Sequence, residues 1–200
     1  MVALIIILVL VVLLVGFVVV GFNKLRTTDI GAQEALGGID VQLTRRADLI
    51  PNLVNTVKGY ASHEKNVFED VTEARANALS AQTVPEAAKA DNQFQAALKS
   101  LFAVAEAYPQ LRASENFQQL SSEITDTEDK IQAARRFYNG AARDLNTKIQ
   151  TFPTNIFAGM LGFKQRDFFE VDAGEQAAVN QAPDVEFNDD SADSKPNAKK

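Results

Sequence analysis

FQQLSSEITDTEDKIQAARRFYNGAARDL, Phe117 to Leu145, is the stretch whose reading decides the fold. Phe117, Leu120, Ile124, Thr127, Ile131, Ala134, Tyr138, Ala141 and Leu145 follow one another in alternating steps of three and four, and Phe152 continues the series. A strand would show its apolar residues at every second position, whereas steps of three and four return to one face of a helix. A helix with a single apolar stripe is stable only when that stripe is covered by other helices. Ser114 is placed to cap the start and Pro153 to stop the end.

Upstream, the same arithmetic recurs. Leu36, Ile39, Leu43, Ala47, Ile50, Val54, Val57, Ala61, Phe68, Val71 and Ala78 trace one stripe over some forty residues, with Thr27, Thr28 or Asp29 as its cap. Pro51 interrupts this pattern, removing one backbone hydrogen bond and clashing with the Ala47 carbonyl, so a kink is expected there. A second segment opens with TVPE, where Thr83 and Glu86 have capping-box spacing and Pro85 suits a first turn. Its stripe is Ala87, Phe94, Ala97, Leu101, Val104 and Tyr108, stopped by Pro109. TNIFAGMLGF, Thr154 to Phe163, adds a short last helix. Asn52, Asn55, Asn139 and Asn146 are expected to bond between helices and fix their register. Long helices joined by short turns predict an all-α, antiparallel, four-helix-type bundle crossing at about 20°.

The two ends differ from this middle. VALIIILVLVVLLVGFVVVGF, Val2 to Phe22, has no charge, amide or hydroxyl. As a helix it would be about 30 Å long, the thickness of a bilayer's hydrocarbon core. It is too rich in Val and Ile for a soluble helix and too long for a strand, and only a helix satisfies its own backbone in lipid. A cleaved signal would need a basic start, a shorter core and a small-residue cleavage site, which the stretch lacks. Residues 1–22 are therefore read as a single membrane-spanning helix whose partner is the lipid bilayer, and 23–170 as the bundle. Lys24 and Arg26 follow the span directly, which predicts an outside amino terminus and a cytoplasmic domain. From Val171 onward Asp, Glu, Asn, Ala, Ser and Lys dominate, so 171–200 is read as a disordered acidic tail.

The formal net charge of −6 is mostly the tail's. Residues 170–200 hold eight acids and three lysines, a net of −5, which leaves −1 for the rest. A nearly neutral domain without a basic face or base-stacking aromatics predicts no nucleic-acid binding. The absence of cysteine removes disulfides, thiolate metal sites and thiol nucleophiles. A single histidine cannot supply the two Glu-x-x-His pairs of a di-metal bundle, and His63-Glu64 lacks the second histidine of a zinc protease. No nucleophile elbow, phosphate loop or dinucleotide turn occurs. No cofactor or metal is expected, and no catalytic residue is assigned. The alternative is an enzyme or anion site built from His63, Glu64 and nearby arginines. The plainer reading has Arg45, Arg46, Arg135 and Arg136 beside the apolar stripes, covering them with their stems and pairing with acids such as Asp48.

DVQLTRRADLIPNLVNTVKGYASHE (Asp40–Glu64), VTEARA (Val71–Ala76), VAEAYPQLRASENFQQL (Val104–Leu120), TEDKIQAARRFYN (Thr127–Asn139) and FPTNIFAGMLGF (Phe152–Phe163) together resemble the bacterial LemA family. The likeness covers residues 23–170 in the right order. It implies an amino-terminal membrane helix carrying an antiparallel helical bundle in the cytoplasmic (inner) membrane, outside amino terminus first, with no settled enzymatic activity. Leu36-Gly37, followed by Gly38, stands where a typical member has Ala-Trp, which predicts a looser start to the first bundle helix. The expected function is a membrane-anchored, non-enzymatic scaffold or adaptor that binds protein partners or self-assembles as a homo-oligomer. Its candidate interaction surface is Arg45, Arg46, Asp48, Asn52, Lys58, His63, Glu64, Arg135, Arg136 and Asn139.

Overall fold

The computed structural model describes residues 1–170; the stretch 171–200, read above as a disordered tail, lies outside them. Among the described residues six helices follow one another: α1 (Val2–Lys58), α2 (Lys65–Ser80), α3 (Val84–Glu106), α4 (Pro109–Arg112), α5 (Glu115–Gln150) and α6 (Asn155–Ala158). No strand occurs among the described residues. The all-α bundle expected from the stripe spacing is what forms.

The membrane span and the first bundle helix are one element. α1 runs for 57 residues without interruption, about 85 Å at helical rise. The start expected at Thr27–Asp29 does not exist as a cap. Instead the Thr27 and Thr28 hydroxyls donate to the carbonyls of Asn23 and Lys24, four residues back, the bond such residues make inside a helix. Gly37 and Gly38 also lie within the continuous helix, both exposed. Of the side chains from Val2 to Phe22 all are exposed except the half-buried Val18 and Gly21, and the segment is long and apolar enough to cross a membrane.

The forty-residue stripe read across Leu36–Ala78 is split in two. α1 stops at Lys58, and residues 59–64 turn the chain before α2. The stripe persists because Ala61 is buried at the turn, so Val57, Ala61, Phe68 and Val71 still enter one core. α3 starts as read: Thr83 accepts from the Glu86 amide at 3.3 Å, and the Glu86 carboxylate accepts from the Thr83 amide at 3.2 Å. The amides of Gln82 and Thr83 hold that carboxylate below its usual range. Ser114 caps α5 by accepting from the Phe117 amide at 3.2 Å.

α1 and α5 pair antiparallel over most of α5. Lys148 Nζ meets Thr28 Oγ1 at 2.7 Å and Glu128 meets Arg46 at 2.7 Å, so 18 residues up α1 match 20 residues back along α5. Three core clusters stack along this pair. The membrane-distal cluster joins α1, α2, α3, α4 and α5 around Ile50, Leu53, Phe94, Leu101 and Leu111. The middle cluster places Ile39 and Leu43 against Ile131, Tyr138 and Ala142, with Phe169 from the chain beyond α6. The membrane-proximal cluster is small, Leu25, Leu145 and Ala158. Phe152, the last member of the α5 stripe as read, lies beyond the helix end and is 79 % exposed.

Candidate functional site

Four charged side chains meet inside the bundle. Arg46 of α1 and Asp91 of α3 are fully buried, and Arg135 of α5 nearly so. Asp91 pairs with both arginines, and Arg46 also donates to Glu128 of α5 at 2.7 Å. Gln95, one turn beyond Asp91, donates to Glu128 at 2.9 Å. The Arg46 guanidinium lies 4.7 Å from the centre of the Phe94 ring, and that of Arg135 4.8 Å from Phe169. Burial pulls the Arg46 guanidinium below its ordinary value, and the Glu128 charge and hydrogen bond oppose the shift. Two cations and two anions balance, with Glu128 half-buried at the edge of the cluster, and planar guanidinium groups suit such a multidentate arrangement. The network joins α1, α3 and α5 at one level and so fixes their register.

Arg46 and Arg135 pair with acids as read, but inside the core rather than beside the apolar stripes, which takes them off the candidate interaction surface. Their neighbours Arg45 and Arg136 are exposed, so each Arg-Arg pair divides between core and surface, as adjacent helical positions 100° apart must when the stripe edge passes between them. Asp91 was not singled out by sequence, although a signal existed. The α3 stripe steps by seven from Ala87 to Phe94, and Asp91 occupies the missing core position between them.

Two further polar contacts explain other singled-out residues. Pro51 has no N–H, so the Ala47 carbonyl loses its helical donor; Arg75 Nε of α2 supplies the replacement at 2.7 Å. Asn139 and Asn146 do not bond between helices as expected. Each accepts from and donates to the backbone of the extended segment after α6: Asn139 with Phe169 at 2.8 and 3.0 Å, Asn146 with Arg166 at 2.8 Å both ways. Seven residues of helix and three of extended chain both span about 10 Å, so the two asparagines are spaced to hold one strap. Tyr138 adds a bond to the Asp167 carbonyl at 2.7 Å, and burial raises its phenol above the usual value. Asn52 and Asn55 are exposed instead.

Of the remaining candidate surface, Arg45, Asp48 and Asn52 are exposed and, at steps of three and four, share one strip of α1 with Val41, which is 62 % exposed. Arg45 is close enough to Asp126 of α5 to help hold that carboxylate low, after the larger effect of its bond to Lys130. Lys58 and His63 are exposed and Glu64 half-buried near the distal turn. From Lys58 back to Arg46 is 12 residues of α1, about 18 Å, so His63, Glu64 and these arginines are not assembled into one site. Among the described residues no group of three or more His, Cys, Asp or Glu could hold a metal ion. A cleft of about 670 Å³ lies between the strap and the lower part of α1, lined by Phe22, Arg26, Asp29, Tyr138, Phe163 and Arg166 among others. Arg166 spans its wall to reach Asp29 at 2.8 Å.

Known proteins are similar to this chain in sequence. Magnetosome protein MamQ 2 of Paramagnetospirillum magneticum is 26 % identical over 74 % of this chain. The match spans 64 % of that relative's length, just under two thirds. Magnetosome protein MamQ of Magnetospirillum gryphiswaldense is 24 % identical over 79 % of this chain and 68 % of its own. Protein LemA of Metamycoplasma hominis is 31 % identical over 82 % of this chain and 76 % of its own. The model of the LemA family matches residues 35–187, which include the buried network, the proline contact and the strap. The chain belongs to the LemA family.

Proposed function

We propose that this protein is a non-enzymatic scaffold, tethered in the bacterial cytoplasmic membrane by residues 2–22, that binds protein partners or further copies of itself on its cytoplasmic side. The observation that carries the reading is the continuity of α1 from the span into the bundle. A helix packed along α5 over its upper part transmits the position and orientation of the anchor to the domain, which a flexible linker would not do. Anchoring also raises the local concentration of the domain, so modest contacts suffice for assembly. The charged groups at the bundle centre are committed to one another, and their role is to hold helices. The strip Val41, Arg45, Asp48 and Asn52 is the docking edge in this reading, and Lys24 and Arg26 beside the span favour the cytoplasmic side.

One variant tests edge and sidedness together, because the chain has no cysteine. Asp48→Cys in intact cells is expected to react with a membrane-permeant maleimide and not with an impermeant one. A bifunctional thiol crosslinker is then expected to give discrete adducts from position 48 and none from Lys99→Cys on α3. Labelling by the impermeant reagent would overturn the sidedness, and equal, diffuse adducts from both positions would overturn the docking edge.

A further inference from the structure

The bundle's membrane end carries a second apolar element that the span alone does not explain. Between Lys148 and Lys164 the chain runs for 15 residues without a charge. Within it Phe152, Ile156 and Met160 are 79, 64 and 87 % exposed, and Leu161 is 39 % exposed. Such a patch is costly in water unless something apolar covers it.

Its position says what covers it. The Phe157 ring packs edge-on against Phe17, with centroids 6.2 Å apart. A Cβ on Gly21 would stand 2.8 Å from the same ring, so the absence of a side chain at Gly21 is what lets Phe157 approach the helix. Phe163 packs against Phe22, with centroids 5.6 Å apart. These partners belong to the membrane span itself, and Val18 and Gly21 are the two half-buried positions in it. Phe17 lies five residues inside Phe22, about 7.5 Å along the helix. When the span occupies a bilayer, whatever touches Phe17 must enter to that depth.

We infer that Phe152–Phe163 is a membrane-inserted wedge, a monotopic element that seats Phe152, Ile156, Met160 and Leu161 at the headgroup–acyl boundary beside the span. This inference rests on the reading of residues 2–22 as transmembrane. The depth matches the 5–10 Å typical of interfacial elements. Backbone amides from Ile156 to Ala158 and from Leu161 to Phe163 are bonded to carbonyls within the same segment, and that of Asn155 to the Thr151 carbonyl just before it, which lowers the cost of entering a medium of low polarity. Lys148 and Lys164 bracket the wedge, and Lys24 and Arg26 follow the span, so cations lie at headgroup level on both elements. The wedge gives the protein two attachments to one leaflet, one across it and one in its surface. Two attachments restrain the tilt of the bundle where one helix would leave it free to lean.

The chain has no tryptophan, so a single introduced one reports its own surroundings. The full chain carrying Met160→Trp, Ile156→Trp, Val9→Trp or Tyr60→Trp is reconstituted in vesicles whose lipids bear bromine either near the headgroup end or near the tip of the acyl chain. Val9→Trp reports the span, and Tyr60→Trp the distal turn in water. The wedge predicts blue-shifted emission at 160 and 156, quenched by shallow bromines several-fold more than at 60 and less by deep ones, while 9 is quenched by deep ones. Water-like, unquenched emission at 156 and 160 with 9 still quenched would overturn the wedge and leave the span standing. Blue-shifted but unquenched emission would mean that protein, a second copy or a partner, covers the patch, and would also overturn it. Loss of quenching at 9 would remove the span and the wedge together.

Discussion

Asp91 carries more of the fold than its single charge suggests. It is the carboxylate that both Arg46 and Arg135 face in the core, so its removal takes the shared counter-charge away from two buried cations. Breaking a buried pair from one side costs about 3–5 kcal/mol, far above the worth of an exposed pair. Asp91→Ala is expected to lower stability by that amount in a urea unfolding experiment in detergent, whereas Asp48→Ala on the exposed strip stays within about 0.5 kcal/mol. Equal, small losses in both would show that the network does not hold the three helices. The legibility of these residues was uneven for a physical reason. A seven-residue step in an apolar stripe shows that some residue stands between, and its being a charge shows only that a counter-charge must exist. Which charges those are depends on how three helices separated in sequence pack, and neither Arg-Arg pair reveals which member turns inward.

At the scale of elements, end signals read well where the chemistry is local. Thr83 with Glu86 and Ser114 with the Phe117 amide are contacts within one turn, so the sequence contains both partners. Signals that depend on distant chain misled. Thr27, Thr28 and Asp29 can cap a helix only if the preceding residues leave it, and here the span continues straight through them. Asn139 and Asn146 were legible as polar residues at helical spacing but not as the holders of a strap, because Lys164 to Glu170 carries neither a helical nor an alternating apolar pattern. Gly38 is an unforced helical glycine: a Cβ there would meet nothing within 4 Å. Gly38→Ala is expected to stabilise the protein by about 0.5–1 kcal/mol, measured as a raised midpoint of thermal unfolding in detergent. A lowered midpoint would mean that the helix needs to bend at Gly37–Gly38.

At the scale of the whole molecule, the bundle class followed from spacing. The fusion of anchor and bundle into one helix did not, because the residues between Phe22 and Leu36 are merely compatible with a helix. That fusion is what separates a domain held at a fixed attitude above the membrane from one hanging on a leash, and the proposed scaffold role depends on it. Hydrogen exchange of the full chain in lipid nanodiscs tests it most directly, at the amides of Lys24 to Gln33. The continuous helix predicts slow exchange across all of them, comparable with Ile39 to Leu43 in the middle of the bundle. Exchange at the rate of an unstructured chain anywhere between Lys24 and Ile30 would contradict it.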